Sequence, residues 1–260
     1  TNSFKLSWTK STTYVDDLRA GNGQTKVVTF PTPSGRGITT AQEGIMTTNT
    51  PVQSTGTEYP KIQSVYKRDD KGRMVFGQFS CPEFEYLKNN LWTFTEKVDG
   101  TNIRLIVKDG QIKIGGKTER AQIQTTLYDA LLRDIIDPHG SIIIKKVQDG
   151  VLYGEGYGAG IQKGGGNYSQ GPKFVLFDVR IGGIWLKRED VADIANTCFL
   201  GLIPYAGGGS LYEMVQRVEG GIKSAWGDFT AEGLVARPSV ELSTRAGHRI
   251  ITKIKGKDFV

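Results

Sequence analysis

An α+β fold built mainly from antiparallel strands is what this sequence of 260 residues predicts. Three observations carry the prediction. Apolar, β-branched segments meet at two-residue turn signals, Asp109-Gly110, Asp149-Gly150 and Gly182-Gly183, which close hairpins. Segments with helical spacing are scattered between those hairpins, the mixture expected of α+β proteins. No heptad or internal repeat is visible.

The elements follow in order along the chain. Residues 1–58 are rich in Ser and Thr and read as a partly ordered extension. Within it Lys26–Phe30 is a candidate strand, and the turn formers from Pro31 to Tyr59 predict a mobile loop. Residues 59–260 read as the globular domain. In "WTFTEKVDGTNIRLIV", residues 92–107, period-two alternation turns Trp92, Phe94 and Val98 to one face and Thr93, Thr95, Lys97 and Asp99 to the other. The first hairpin pairs Asn102–Lys108 with Gln111–Ile114. Leu127, Leu131, Asp134 and Ile135 follow helical spacing within 121–137. The second hairpin pairs Ser141–Val147 with Val151–Gly154, and the third pairs Phe174–Arg180 with Ile184–Leu186. Glu189–Phe199 is a second helix candidate. Ser210-Leu211-Tyr212-Glu213 has the form of a capping box and opens a third helix over 211–219.

Composition narrows the function classes. Apolar residues make up 38% and charged residues 23%, enough for a substantial core. A net charge of +6 and a pI near 9.2 suit a polyanionic partner such as nucleic acid, or simply a soluble basic protein; charge alone leaves both open. The two cysteines, Cys81 and Cys198, have no ligand-like companions, which points to a reducing, cytoplasmic setting. No apolar run approaches the ~20 residues of a membrane span, and no secretory h-region opens the chain. His139 and His248 are the only histidines, which argues against zinc sites built on paired histidines.

The chemistry gathers in five short stretches. "FTEKVDGTNIRL" sets Lys97 beside Asp99 at a strand end, a positioned amine next to a carboxylate. "LYGEGYG" places Glu155 in a glycine-rich strand end, and "FVLFDVR" places Phe177 and Asp178 in an apolar strand. "AEGLVARP" carries Glu232, and "ITKIKGKDF" puts Lys253 and Lys255 on one strand face with Lys257. In this order the set resembles the covalent nucleotidyltransferase superfamily of ATP-dependent RNA ligases, DNA ligases and mRNA capping enzymes. "PKIQSVYKRD", "GGKTERAQI", "GEGYGAGIQKGGGNY" and "EGLVARP" look most like the RNA ligases, especially the branch with phage nick-sealing enzymes. The resemblance covers residues 59–260.

That resemblance implies a nucleotidyltransferase domain of antiparallel sheets with flanking helices around a nucleotide cleft. No C-terminal OB-fold is expected, because the chain stops at Val260 just after the fifth block; it reads as a minimal enzyme or as a truncated one. Lys97 resembles the nucleophile that attacks the α-phosphate of ATP to form lysyl-AMP. A free lysine has a pKa of ~10.4, so the site must lower it, by desolvation and by cations such as Lys253, Lys255 and a bound Mg²⁺ or Mn²⁺. By resemblance Glu96, Asn102, Lys117, Glu155, Phe177, Glu232, Lys253 and Lys255 bind the nucleotide, and Asp99, Glu155 and Glu232 serve the metal ion. Phe177 either stacks on the adenine or fills the core. Lys117 stands where relatives often carry arginine, with Arg120 nearby to compensate. Lys163 lies in a three-glycine loop that approaches phosphate or merely connects. Arg104, Arg120, Lys163, Arg245 and Arg249 are the candidates for nucleic-acid contact. The implied function is an ATP-dependent RNA ligase, monomeric and cytoplasmic (in the host cytoplasm if phage-encoded), joining 3′-OH and 5′-phosphate ends of RNA in repair, with no membrane partner. The alternatives are a minimal DNA ligase and a nucleic-acid-binding relative that has lost catalysis.

Overall fold

The protein is described by a computed structural model over residues 56–259, preceded by the backbone of two strands. The chain divides into two units, Thr1–Thr48 and Asn49–Val260. In the first, β1 (Thr12–Asp16) pairs antiparallel with β2 (Thr25–Val28). β2 overlaps the expected strand Lys26–Phe30. The loop expected from Pro31 lies outside the described residues as far as Thr55.

The second unit runs β3 (Gln63–Ser64), β4 (Tyr66–Arg68), β5 (Met74–Phe79), α1 (Pro82–Leu87), β6 (Trp92–Glu96), β7 (Thr101–Lys108), β8 (Gln111–Gly115), α2 (Thr125–Leu131), α3 (Asp137–Val147), β9 (Gly150–Tyr157), β10 (Lys173–Ile181), β11 (Ile184–Trp185), α4 (Arg188–Thr197), β12 (Gly201–Leu202), β13 (Tyr205–Gly209), α5 (Leu211–Glu219), β14 (Gly233–Pro238) and β15 (Thr252–Lys255). One sheet has the order β11-β10-β9-β7-β8, with β12 added parallel beside β10. A second has the order β13-β6-β14-β15-β3, antiparallel except for its last pair, and β4 and β5 form a separate antiparallel ribbon. Among the described residues no helix is long and apolar enough to cross a membrane.

Local chemistry explains several boundaries. Asp109 and Gly110 both adopt left-handed φ, 49° and 70°, the primed turn whose twist suits a hairpin between β7 and β8. Gly182 and Gly183 do the same between β10 and β11. Ser210 caps α5 through the Glu213 N–H, and the Glu213 carboxylate returns the bond to the Ser210 N–H at 2.7 Å, the reciprocal box that the sequence predicts.

Each sheet buries one face under helices. Ile103, Leu105, Leu152 and Leu176 meet Leu127, Leu131, Ile143 and Ile194 of α2, α3 and α4. Trp92, Phe94, Leu234 and Ile254 meet Phe84 of α1 and Leu211 and Met214 of α5. A small cluster of Val98, Tyr157, Val175 and Ile203 ties the two sheets together, and the cleft opens beside it.

The second predicted hairpin is wrong in its first half. Ser141–Val147 is the body of α3, not a strand. The Ile142-Ile143-Ile144 run is β-branched and reads locally as a strand, but Gly140, Ile143 and Val147 recur at helical spacing and form the buried stripe. Tertiary burial of that stripe overrides the propensity. Likewise the helix expected within 121–137 is shorter at its start and continues through a π-turn, Leu132–Ile136, into α3. Lys257 is not on the strand face of Lys253 and Lys255, because β15 ends at Lys255 and a 3₁₀ turn follows.

The helical reading separates three adjacent isoleucines. Ile143→Ala should cost about 3 kcal/mol, because its side chain is wholly buried. Ile142→Ala and Ile144→Ala, at partly buried positions, should each cost less than about 1.5 kcal/mol. Denaturant unfolding checks this; costs that are equal at 142 and 144 and smallest at 143 would restore the strand.

Candidate active site

The strand register delivers the lysine to its carboxylate. β6 pairs with β14 so that Glu96 lies opposite Leu234, and the Lys97 N–H donates to the Gly233 carbonyl at 2.9 Å. Lys97 therefore sits next to the residue that precedes Gly233. Its Nζ lies 2.7 Å from Glu232 Oε2, and Lys255 Nζ lies 2.5 Å from Glu232 Oε1. One carboxylate thus bridges two ammonium groups, held there because Gly233 and Lys255 are partners in the β14–β15 ladder.

The chain must then turn sharply to enter β7. Gly100 makes this possible: a Cβ there would collide with the Gly156 carbonyl and lie 2.8 Å from the Glu155 side chain. The turn is laid directly against β9, and β7 pairs so that Asn102 faces Glu155. On the neighbouring strand the β9–β10 register slips between Leu176 and Asp178, leaving Phe177 as the extra residue of a bulge. A bulge re-aims a side chain, and Phe177 points to the cleft instead of the core that its apolar neighbours fill.

These pieces enclose a cavity of about 170 Å³. Of the residues the sequence nominates, Glu96, Lys97, Asn102, Lys117, Glu155, Phe177 and Lys253 line it. Glu232 and Lys255 stand behind Lys97 through the ion pairs above. Tyr59, Lys61 and Arg237 also line it and were not nominated, although all three lie in or beside blocks that carry the resemblance. Tyr59 meets Phe177 edge to face, with ring centres 5.1 Å apart, and makes an aromatic end to the cavity. Its hydroxyl donates to Asp178 Oδ2 at 2.7 Å; burial and that carboxylate push the phenol pKa up.

The other end is polar, and burial moves its titrations. Glu155 is pushed up to about 7, chiefly by desolvation, with Glu232 and Asp99 adding repulsion and Lys97 opposing it. Lys253 is drawn down to about 8 by desolvation and by the charges of Lys97 and Lys255. A carboxyl and an amine that exchange protons near neutrality line one cavity, a pattern typical of chemical sites.

Several nominations need correction. Arg104 shares a strand face with Asn102, yet its side chain is 1% exposed and donates to Gly116 O at 2.6 Å, Thr57 Oγ1 at 2.5 Å and Glu119 Oε1 at 2.8 Å. It is a strut under the turn that carries Lys117 and cannot meet a phosphate backbone. The Arg249 side chain is 2% exposed, paired with Asp178 at 2.6 Å and with Glu241, and lies over the Trp185 ring. Glu96 reaches the cavity wall, but its carboxylate accepts from Ser224 Oγ at 2.7 Å and Ala225 N–H at 2.8 Å, so it serves the protein and not a ligand. Thr57 and Glu58, assigned to the extension, hydrogen-bond Glu119. Arg120 and Lys163 are exposed outside the cavity. Arg245, also exposed, lines a second cavity of about 960 Å³ with Lys61, Trp185 and His248. Asp99 lies beside Gly164, with its N–H toward the Tyr168 hydroxyl.

A family model described as RNA ligase matches residues 90–255. No curated protein matches the sequence. Among solved structures, the fold is similar to that of the Naegleria gruberi RNA ligase with pyrophosphate, at a TM-score of 0.55 and 19% identity over 85% of this chain and 63% of that one. A lysine-to-alanine variant of the same ligase with ATP and Mn gives a TM-score of 0.53 at 17% identity, over 79% of this chain and 59% of that one. A lysine-to-methionine variant with AMP and Mn gives 0.52 at 17% identity, over 79% and 59%. The chain spans about three fifths of the length of the solved structures it matches.

The raised Glu155 titration has a definite sign. The native state holds a proton on Glu155 that the unfolded chain, with a value of 4.5, releases earlier. Stability is therefore favoured below about pH 4.5 and declines as pH rises toward 7. Glu155→Gln should raise the Tm by roughly 3–6 °C at pH 8 and leave it unchanged at pH 4. Thermal unfolding at the two pH values measures this, and a variant less stable at pH 8 would refute it.

Proposed function

This chain belongs to the RNA ligase family, and on that premise we propose that it joins RNA ends at the expense of ATP, with Lys97 as the nucleophile. The observation that carries the reading is the placement of the Lys97 amine. It sits 2.7 Å from Glu232 at the wall of a cavity whose other walls present Phe177 and Lys253. In the first step Lys97 Nζ attacks the α-phosphorus of ATP. An N–P bond forms, the bond to the β-phosphate oxygen breaks, pyrophosphate leaves, and the amine gives up its proton. Glu232 Oε2 is placed to take that proton. AMP then passes to the 5′-phosphate of an RNA end, which forms a pyrophosphate linkage and restores the lysine. Attack by a 3′-OH finally makes the phosphodiester and releases AMP. Positioning and charge stabilisation, more than covalent help, govern each phosphoryl transfer.

The residues divide the work. Phe177 and Tyr59 offer an aromatic end for the base, with Tyr59 fixed by Asp178. Lys253 and Lys117 present cations to the phosphates. Asn102, with a buried amide oxygen that has no hydrogen-bond partner, faces the same space.

The donor set also fits a hydrated divalent cation. Among the described residues no group of three or more His, Cys, Asp or Glu side chains forms a metal cage. Glu232 and Glu155 are hard oxygen donors, and Glu232 already draws two cations in the protein itself. Few carboxylates and room for water suit Mg²⁺ or Mn²⁺. Held there, such an ion supplies charge neutralisation at the phosphate oxygens. RNA repair in a reducing cytoplasm, where Cys81 and Cys198 stay free, is the setting that we propose.

Incubation with α-labelled ATP and Mg²⁺ should leave acid-stable label on the protein. Lys97→Ala should carry none, and chelation should abolish labelling of the unmodified chain. Glu232→Ala should slow labelling by about 100-fold or more, the scale of losing a group that stabilises developing charge. Label on Lys97→Ala at the normal rate would overturn the assignment. Matched nicks with RNA or DNA at the 3′-OH end test the substrate: sealing should favour RNA, and equal sealing of DNA would turn the reading to a DNA ligase.

A further inference from the structure

The nucleophile's neighbour in sequence is held from outside the site. Glu96 is 4% exposed, and its carboxylate points away from Lys97 into the tip of the 222–231 segment. There Ser224 Oγ donates to Glu96 Oε1, Ala225 N–H donates to Oε2, and Ser224 Oγ in turn accepts from the Trp226 N–H at 3.1 Å. Ser224 is itself 6% exposed. The segment closes on itself through Ser224 N–H to Phe229 O and Ala231 N–H to Ile222 O. It then runs directly into Glu232, the partner of Lys97. Trp226 packs against Tyr157 and Tyr168, with ring centres 5.7 and 5.5 Å away. The Tyr168 hydroxyl meets the Asp99 N–H on the far side of the lysine.

The 222–231 segment therefore grips the nucleophile's strand on one side, supplies its carboxylate partner at its own end, and reaches by way of Trp226 and Tyr168 to the turn on the other side. None of these groups lines the cavity except Glu96. We propose that Ser224 and Trp226 are positioning residues for Lys97, with the Ser224–Glu96 hydrogen bond fixing where the lysine amine stands relative to Glu232 and the α-phosphate.

The geometry selects which step feels the loss. Only self-adenylation needs the Lys97 amine in line with phosphorus. Joining of RNA that already carries a 5′-adenylate transfers no group to or from Lys97. A general weakening of the fold would slow both reactions together, whereas a loss of lysine placement slows the first. A hydrogen bond to a buried carboxylate is also among the stronger ones, so removing its donor leaves an underpartnered charge rather than a neutral gap.

The test, which rests on the ligase reading above, measures the two reactions separately in the full chain. Ser224→Ala should slow single-turnover lysyl-AMP formation about tenfold, with the KM for ATP changed less than twofold. It should join a pre-adenylated RNA end to a 3′-OH within twofold of the unmodified rate. Glu96→Gln keeps the volume and neutralises the acceptor. It should lose about threefold in self-adenylation only, and it carries the test if Ser224→Ala does not fold. Trp226→Leu removes the ring contacts with Tyr157 and Tyr168 and should slow self-adenylation about threefold, with joining of the pre-adenylated end within twofold of the unmodified rate. Self-adenylation at the unmodified rate in the folded variants, or equal loss of both reactions, would overturn the positioning role. Absence of lysyl-AMP in the unmodified protein would instead overturn the ligase reading, and this inference with it.

Discussion

A single carboxylate sets the relation between the two sheets. Asp178, on β10, is wholly buried, and its Oδ2 receives Arg237 of the other sheet at 2.8 Å, Arg249 from the approach to β15 at 2.6 Å and the Tyr59 hydroxyl at 2.7 Å. Charges so placed are costly to desolvate, and such a cluster is weak evidence for net stability. Its force lies in what separation would cost. Losing one partner leaves a buried ion uncompensated, a penalty of about 3–5 kcal/mol, so the facing sheets are held at one spacing. The next residue back, Phe177, is the bulged one. Its carbonyl accepts from Arg237 as well, at 3.2 Å. The aromatic end of the cleft is thus fixed by the same ions that fix the sheets.

The opposite end follows other rules. Lys97, Lys255 and Glu232 are partly exposed, and their pairing is a balance between two ammonium groups and one carboxylate. Such a triad can reorganise when a ligand brings new charge, because water reaches it and the desolvation penalty is smaller. In the neighbouring pair, burial pushes Glu155 up to about 7 and draws Lys253 down to about 8. On the proposed reading, rigid ion pairing at the aromatic end suits recognition and adjustable ion pairing at the lysine end suits chemistry.

Much of this was legible in the sequence where the signal is local. Asp109-Gly110 and Gly182-Gly183 announce their hairpins because only left-handed φ closes such turns, and Ser210 with Glu213 announces a helix start through its own hydrogen bonds. The ordered blocks around Lys97, Glu155, Phe177, Glu232 and Lys253 predicted one cleft, and the structure brings those residues together. What failed depends on distant partners. Ile142-Ile143-Ile144 is a strand by propensity and a helix by burial. Arg104 and Arg249 looked like free cations because residue type carries no record of Glu119, Asp178 or Glu241 waiting across the fold. Tyr59 entered the site through a contact with Asp178, 119 positions away.

The charge inside the cleft narrows what can occupy it. Lys61, Lys97, Lys117 and Lys253 line the cavity with Arg237, against the carboxylates of Glu96 and Glu155. Arg237 is already matched by Asp178, and Glu96 by Ser224 and Ala225. Glu155, at about 7, is only partly ionised at neutral pH. Lys97 is matched by Glu232 behind it, and Lys61, Lys117 and Lys253 leave a positive excess along the cavity wall. An uncharged ligand would leave that excess standing, and a monoanion would offset little of it. A ligand with several negative charges at one end and a flat, weakly polar ring at the other matches both halves of the cavity at once. The proposed ATP meets that description, whereas a free base or a lone phosphate would satisfy one end and leave the other unpaired.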